Sequence, residues 1–179
     1  VNMMSVTSSA LTILFLFWSI SYLIKQQGEL DEDPISINEA FKIFGSSILG
    51  CLTFTFTDSF WFNAVEAEVY AMATLILSLL FWLGLKWVEN IESERGDKWL
   101  ILISFAIGLS FGVHFMGLLA IPAIGLLYYF KKYTFKLGSF LLANIISISI
   151  LLFIFKLLLP TTLSILSLIH ISEPTRLQQ

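Results

Sequence analysis

Long apolar runs alternate with short polar segments along the chain. A bilayer core of about 30 Å is crossed by roughly 20 helical residues, and most of these runs approach that length. The pattern predicts six helices, over residues of about 3–24, 37–57, 64–87, 98–111, 115–130 and 137–159. We therefore expect an all-α fold, a polytopic bundle of transmembrane helices, in one membrane domain over residues 1–160.

Two local signals set helix boundaries within this pattern. Ser36-Ile-Asn-Glu39 has the S-x-x-E form of a capping box, which predicts the start of the second helix. Residues 99–130 carry no Asp, Glu, Lys or Arg, and as one helix they would measure about 48 Å at about 1.5 Å per residue. Because that length exceeds one crossing, and because glycines and a proline interrupt it, we expect two short helices joined by a tight turn at Gly112-Val113-His114.

The composition excludes an ordinary soluble domain. Hydrophobic residues make up 57% of the chain, charged residues make up 13%, and the mean hydropathy is +0.86, whereas soluble domains are about a quarter charged. The single cysteine, Cys51, has no partner for an intrachain disulfide. No zinc-ligand spacing, nucleotide-binding Gly-rich loop, serine triad or H-E-x-x-H motif occurs. The expected partner is the lipid bilayer, with no nucleic acid, no cofactor and no metal.

Basic residues mark alternate connecting segments. They lie at the first, third and fifth segments between predicted helices: Lys25 and Lys42, then Lys86, Arg95 and Lys98, then Lys131, Lys132 and Lys136. Cytoplasmic loops of membrane proteins collect Lys and Arg, so these three loops are expected inside. Asp58, Glu66, Glu68 and His114 are then expected at the outer surface.

Both ends of the chain predict a piece of a longer protein. The start at Val1-Asn2 has neither an initiator methionine nor the basic leader of a signal peptide. After Leu168 the membrane pattern stops, and "HISEPTRLQQ" resembles the adapter-derived translations found at the ends of assembled sequence fragments. We interpret residues 161–179 as a disordered or non-native tail and assign it no function.

Two acids stand at the mouth of the third predicted helix, in "FWFNAVEAEVYAM". Neighbours on a helix face are three or four residues apart, so Asn63, Glu66 and Tyr70 share one stripe while Glu68 lies on another. At most one of the two glutamates is then expected to line a site. Two interpretations are open: acids in a first turn complement the helix macrodipole, or an ionisable group facing the bundle lines a substrate site.

The predicted turn in "GLSFGVHFMGLLAIP" holds the other candidate, His114. A neutral imidazole there could satisfy the carbonyls of the broken helix; alternatively, it could contact a phosphate or carry a proton. Nearby, Gly108 and Gly112 form a G-x-x-x-G pair, which indicates close helix packing.

Three blocks of the sequence resemble a known family. They are "VNMMSVTSSALTILFLFWSI", "FWFNAVEAEVYAMATLILSLLFWLGLKW" and "GLSFGVHFMGLLAIPAI", and they resemble successive blocks of bacterial membrane proteins related to the eukaryotic transmembrane O-mannosyltransferase of plexin-type receptors. The resemblance extends from Val1 to about Leu159, and its most specific parts are Glu68-Val69-Tyr70 and Gly112-Val113-His114.

The resemblance implies a GT-C glycosyltransferase fold. Such enzymes transfer a sugar, here expected to be mannose-like, from a polyprenyl-phosphate carrier to a protein or glycan acceptor. The expected location is the bacterial inner membrane, with the active face outward. In this setting Glu68 and His114 would shape the acceptor pocket or position the carrier phosphate, and Tyr70, Glu66 and Asn63 complete the candidate substrate-binding set.

The family's expected catalytic acid lies in an Asp-x-Gly-Glu-like motif followed by a His-Pro-Pro-Gly stretch. Neither motif occurs in this sequence. The resemblance aligns Val1-Asn2 with the segment just after that loop. We therefore expect the catalytic acid upstream of residue 1, and the chain by itself to be inactive.

Two other functions stay open. A transporter segment would also use broken helices and buried ionisable groups, although here the acids cluster at one face and no repeated half is visible. A second, inverted set of helices would favour it. A non-catalytic membrane scaffold would be favoured if the full-length protein lacked any acid in the expected loop.

Overall fold

The computed structural model describes residues 3–27, 36–158, 160, 161, 164 and 165. Its elements are α-helices with two short irregular helical turns, and no strand occurs among these residues. The α-helices are α1 Met3–Gln27, α2 Ile37–Thr55, α3 Asp58–Val65, α4 Tyr70–Glu89, α5 Lys98–Ser110, α6 Ala120–Lys132 and α7 Leu137–Phe153. A 3-10 helix, Phe115–Leu119, precedes α6, and a π-helical turn, Ile154–Leu158, follows α7. The predicted all-α fold is confirmed.

Several of these helices are long and apolar enough to cross a membrane. Four candidates within the described residues are α1, α4, Phe115–Lys132 and Leu137–Leu157. A fifth is the pair α2 and α3, which are bent by 69° at the break between them. The remaining apolar helix, α5, has 13 residues. The six predicted helices thus correspond to these five candidates and the shorter α5.

The start of α2 follows the predicted capping box. The backbone N–H of Ser36 donates to Glu39 Oε2 at 2.8 Å, and the N–H of Glu39 donates to Ser36 Oγ at 3.3 Å. Both side chains therefore satisfy donors that the first helical turn leaves free. This part of the prediction is confirmed.

Contacts cluster the chain into two compact units, residues 1–120 and 121–179. In the first unit, α1 packs against α2, α3 and α4. The buried face of α1 consists of hydroxyl residues, namely Ser5, Ser8, Ser9, Thr12 and Ser19. Small side chains let helix backbones approach closely, which in a membrane supplies the dispersion contacts that hold helices together. Opposite them, α4 contributes larger buried side chains, including Leu80, Leu83 and Trp87.

The chain between α2 and α4 differs from the sequence prediction. A continuous helix was expected from residue 64, but α3 ends at Val65 and α4 begins only at Tyr70. Glu66 adopts an extended backbone, with φ −80° and ψ 155°, which ends α3. The apolar pattern could not reveal this break, because α3 and α4 are both apolar and the four residues between them are too few to interrupt the pattern.

Aromatic contacts join the short helix α3 to the end of α2, including that of Trp61 with Phe56 at a centroid separation of 5.9 Å. Phe60 is buried, and its ring centroid lies 4.7 Å from that of Phe54 on α2. At the bend itself, Thr57 Oγ1 donates to Phe54 O at 2.8 Å, a local side-chain bond that competes with helix continuation. Together these contacts turn the chain back toward α1 and place the end of α3 beside the start of α4.

The second unit contains α6, α7 and the segment between them. Tyr129 on α6 is buried and contacts the rings of Tyr133 and Phe140, with centroid separations of 6.0 and 6.1 Å. Along the helices, Gly125 admits the side chain of Ser147 so closely that a Cβ would clash with it. These contacts pack α6 against α7.

Candidate functional site

The candidate site lies in the first unit, where the start of α4 meets the start of the 3-10 helix Phe115–Leu119. The non-helical residues 66–69 directly precede α4. The ring centroids of Tyr70 and His114 lie 5.6 Å apart, with the ring planes inclined by 50°. The structure thus brings together two of the predicted candidates from distant parts of the sequence.

His114 caps the 3-10 helix. Its backbone is extended, with φ −161° and ψ 143°, and its Nδ1 accepts the N–H of Met116 at 3.2 Å. Because Nδ1 is the acceptor, the neutral ring carries its proton on Nε2. This bond is accepted from a backbone donor, whereas the broken-helix carbonyls considered from the sequence would require the ring to donate, so that interpretation stays a prediction. The half-buried ring keeps Nε2–H available as a donor.

A close approach of backbone to side chain positions the 3-10 helix. Gly117 is buried, and a Cβ on it would clash with the side chain of Ser110 at the end of α5. Ser110 is 0% exposed, and its Oγ donates to Ile107 O at 2.6 Å. The glycine therefore allows the turn to fold back onto α5, which fixes where His114 lies.

Gly117 is not among the residues predicted from the sequence, where close packing was expected at another pair of glycines. Gly108 and Gly112 were expected to pack closely, but both are exposed. A Cβ on Gly108 would meet no atom of the described chain within 4 Å, and one on Gly112 would be 3.6 Å from Leu109 O. Gly117 follows His114 by three residues, but it lies in an apolar stretch, and nothing in the sequence marks it as a site of close packing.

The two glutamates lie on the break, and neither lies on a helix. The helical stripes predicted for Glu66 and Glu68 are therefore wrong, because residues 66–69 are not helical. Glu66 is half-buried and its N–H donates to Phe62 O at 3.2 Å, while Glu68 is exposed. The first-turn interpretation also fails for both, since the first turn of α4 contains no acid. Asp58 occupies the first turn of α3 instead.

The last candidate, Asn63, lies on α3 and is half-buried. Within the described residues, no hydrogen bond or ion pair joins Asn63, Glu66 or Glu68 to Tyr70 or His114. The described residues also contain no group of three or more His, Cys, Asp or Glu side chains that could hold a metal ion. The site is thus a histidine–tyrosine pair with two acids on the preceding loop.

An apolar groove lies alongside α3. Its volume is about 240 Å³, and it is lined by Val6, Ser9, Ala10, Ile13, Thr55, Phe60, Trp61, Ala64 and Val65. Only Ser9 contributes a buried hydroxyl, and its Oγ has no hydrogen-bond partner among the described residues. Val65, one of the lining residues, directly precedes Glu66 in the chain. The groove therefore offers a hydrocarbon surface that includes the residue next to the acid-bearing loop.

Comparison with known proteins identifies the family. Residues 1–137 match the family described as the protein O-mannosyl-transferase TMEM260 N-terminal domain. Because the match covers most of the chain, the chain belongs to this family. Neither curated proteins nor solved structures gave a match. The relation to O-mannosyltransferases inferred from the three sequence blocks is confirmed, and the chain is a membrane protein related to these enzymes.

Proposed function

We propose that the chain forms part of a GT-C-type glycosyltransferase that moves a mannose-like sugar from a polyprenyl-phosphate carrier to a hydroxyl of a protein or glycan acceptor. Membership of the O-mannosyltransferase family supports the reaction class. The observation that carries the site is the contact between Tyr70 and His114 at the amino end of α4.

The amino end of α4 suits a phosphate. Val69, the N-cap residue, provides no side-chain hydrogen bond, and the first backbone bond of this end runs from Ala73 N to Val69 O at 2.9 Å. The N–H groups of the preceding helical residues therefore have no acceptor within the helix. Free donors and the positive end of the helix dipole favour an anion. His114 Nε2–H and the Tyr70 hydroxyl add two side-chain donors beside them.

The acids are assigned to the other substrate. Carboxylates and a phosphate repel each other, so Glu66 and Glu68 are better suited to the acceptor hydroxyl and the sugar. In the proposed step a general base removes the hydroxyl proton, the hydroxyl oxygen bonds to the sugar carbon, and the bond from that carbon to the phosphate oxygen breaks. Polyprenyl phosphate then leaves with the electron pair.

Within that step, Glu68 is a supporting residue and the principal base lies elsewhere. The Asp-x-Gly-Glu-like motif expected to carry the base does not occur in residues 1–179. We therefore assign no residue of the chain as the base, and we propose that these 179 residues bind substrate without turnover.

The groove beside α3 is the proposed place for the first isoprene units of the carrier. Its walls are almost entirely apolar, and Val65 connects it to the loop that bears Glu66. A lipid chain in this groove would hold its phosphate near the start of α4. The distribution of Lys and Arg supports an outward-facing position for this end of the bundle, in what we propose is the bacterial inner membrane.

A photoreactive analogue of polyprenyl phosphate tests the binding site without requiring catalysis. In membranes containing the chain, we expect cross-linked peptides from residues 60–72 and 110–118, with labelling displaced by polyprenyl-phosphate mannose. A polyprenol of equal length without the phosphate should displace it poorly. Labelling restricted to residues 121–165 would contradict the proposal. If the full-length protein moves intact donor lipid across a vesicle membrane and transfers no sugar, the transporter function would be favoured.

A further inference from the structure

A second chemically distinct surface lies in the other unit, at the segment between α6 and α7. We call residues 131–136 the basic loop; it contains Lys131, Lys132 and Lys136, all exposed. No Asp or Glu occurs between Asp97 and Glu173, so the loop carries three positive charges and no negative one within its own stretch of sequence. This excess of positive charge would attract a negatively charged ligand.

The loop at residues 86–98 shows how a charge-compensated segment of this chain differs. It contains three basic residues, Lys86, Arg95 and Lys98, and four acids, Glu89, Glu92, Glu94 and Asp97. Lys86 Nζ lies 2.6 Å from Glu89 Oε2. Since both loops carry three basic residues, the positive-inside rule treats them alike. Of these two loops, only the basic loop has an unbalanced positive charge to offer to a ligand.

The location of the basic loop fits a membrane surface. Two candidate spans end at its borders, Phe115–Lys132 and Leu137–Leu157. Exposed aromatic side chains surround the lysines: Tyr128, Phe130, Tyr133 and Phe135. Aromatic rings beside lysines are typical of the zone where lipid headgroups meet the acyl chains. Because two candidate membrane spans border the loop, we favour a lipid headgroup over a soluble anionic partner.

A hydrogen-bonded tyrosine gives the loop a defined shape. Tyr129 is 4% exposed, and its hydroxyl oxygen accepts the N–H of Lys136 at 3.1 Å. The same oxygen lies 2.7 Å from Ser139 Oγ and 3.2 Å from Lys136 O. Stacking of Phe130 on Phe135, with centroids 6.4 Å apart, closes the other side. The backbone of Lys136 is thus fixed before any ligand binds, which lowers the entropic cost of binding.

We propose that the basic loop binds the phosphate-bearing headgroup of an anionic phospholipid at the membrane surface. The lysine ammonium groups donate to the headgroup phosphate, and the exposed rings lie along the first part of its acyl chains. The proposal is independent of the proposed transferase function, because it rests on residues of the second unit alone.

Lipid titration of the detergent-solubilised chain, followed by native mass spectrometry, measures this binding. We expect phosphatidylglycerol to bind more tightly than phosphatidylcholine with the same acyl chains. The triple variant Lys131→Gln, Lys132→Gln, Lys136→Gln should reduce phosphatidylglycerol affinity tenfold or more, since each lysine near an anionic surface contributes about fivefold. Replacing the same three lysines by arginine should preserve the preference. The matched control is Lys86→Gln, Arg95→Gln, Lys98→Gln, which should leave the affinity within about twofold because those charges are already balanced.

Two further measurements decide between a lipid site and a general electrostatic effect. Inorganic phosphate should compete weakly, because it lacks the acyl chains that contact the rings. Tyr129→Phe should weaken lipid binding while the helical circular dichroism stays unchanged, whereas Tyr133→Phe should have little effect on either. Equal loss in both triple glutamine variants, or full retention of the preference in the basic-loop variant, would overturn the proposal. Complete competition by inorganic phosphate would also overturn it, by indicating a soluble-anion site.

Discussion

Tyr70 begins α4 and His114 caps the 3-10 helix after α5, and their rings lie 5.6 Å apart. Two breaks in the helical pattern are needed for this contact. The first separates α3 from α4 at residues 66–69, and the second separates α5 from the 3-10 helix at residues 111–114. Irregular backbone within a membrane bundle is tolerated where protein or a water-filled cavity shields it. Here both breaks lie at the candidate site.

His114 caps the 3-10 helix and is proposed to bind the carrier phosphate, and two substitutions distinguish these roles. His114→Asn retains a side-chain oxygen that can accept the Met116 N–H, so we expect stability within a few tenths of a kcal/mol of the parent. His114→Ala removes the cap and should cost about 1 kcal/mol. Both remove the Nε2–H donor, and both should therefore reduce cross-linking to the polyprenyl-phosphate analogue. Thermal unfolding in detergent and labelling yield provide the two readouts. If the asparagine variant labels as well as the parent, the histidine is only a cap.

Gly117 should not tolerate a side chain. The Cβ of Gly117→Ala would clash with Ser110, so we expect a loss of about 1–3 kcal/mol in stability and a displaced His114. Adding Ser110→Gly should restore part of the loss, because it removes the atoms that the new Cβ would meet. Gly108→Ala is the control, and it should be neutral or stabilising, since its Cβ meets nothing within 4 Å of the described chain and alanine favours helices. Equal effects of the two alanine substitutions would show that the close approach at Gly117 does not exist.

Phe60 should anchor α3 much more strongly than its neighbour Phe62. Phe60 is 8% exposed and contacts Phe54, whereas Phe62 is 59% exposed. We expect Phe60→Ala to lower the free energy of unfolding by about 1–3 kcal/mol. The same substitution in the core of a soluble protein costs about 3–5 kcal/mol, and the loss is smaller here because exposure to lipid carries little hydrophobic cost. Phe62→Ala should have a small effect. Proteolysis between residues 56 and 69 of the detergent-solubilised variants, compared with the parent, would detect release of α3. Equal protection in both variants would contradict the anchoring role.

Glu68 is expected to support catalysis without performing it. In the complete reading frame, Glu68→Gln should lower the transfer rate about tenfold, which is less than the about 10²-fold or more expected on loss of a general base. Protein abundance should stay unchanged, because Glu68 is exposed and makes no hydrogen bond among the described residues. Retention of full activity in Glu68→Gln, together with reduced abundance of Glu68→Ala, would assign the residue a purely structural role.

The sequence predicted the parts of the fold that depend on local chemistry. Apolar run length indicated membrane helices, and the Ser36–Glu39 spacing located the start of α2. The angle between α2 and α3 could not be predicted, because aromatic contacts such as that between Phe60 and Phe54 accompany it, and an apolar pattern does not report which aromatic residues meet. For the same reason Glu66 and Glu68 were assigned to helical stripes that do not exist.

The residues of the candidate site could be predicted from the sequence, but their arrangement could not. Tyr70 and His114 are both candidates from the sequence, and in the structure their ring centroids lie 5.6 Å apart. The contact between Gly117 and Ser110, which positions His114, could not be predicted, because a sequence does not show how closely two helices approach. Glycine is common in apolar runs, so Gly108 and Gly112 were as plausible as Gly117 as positions of close helix packing.

The most direct test of the proposed transferase is the donor requirement of the complete reading frame in membranes. Radiolabelled mannose would be supplied either on polyprenyl phosphate or as a nucleotide sugar, with protein-bound label as the readout. The account predicts transfer from the lipid-linked donor, at a rate that His114→Asn and His114→Ala both reduce while Phe62→Ala does not. Transfer from the nucleotide sugar in membranes free of the lipid carrier, or no transfer from the lipid-linked donor, would contradict it.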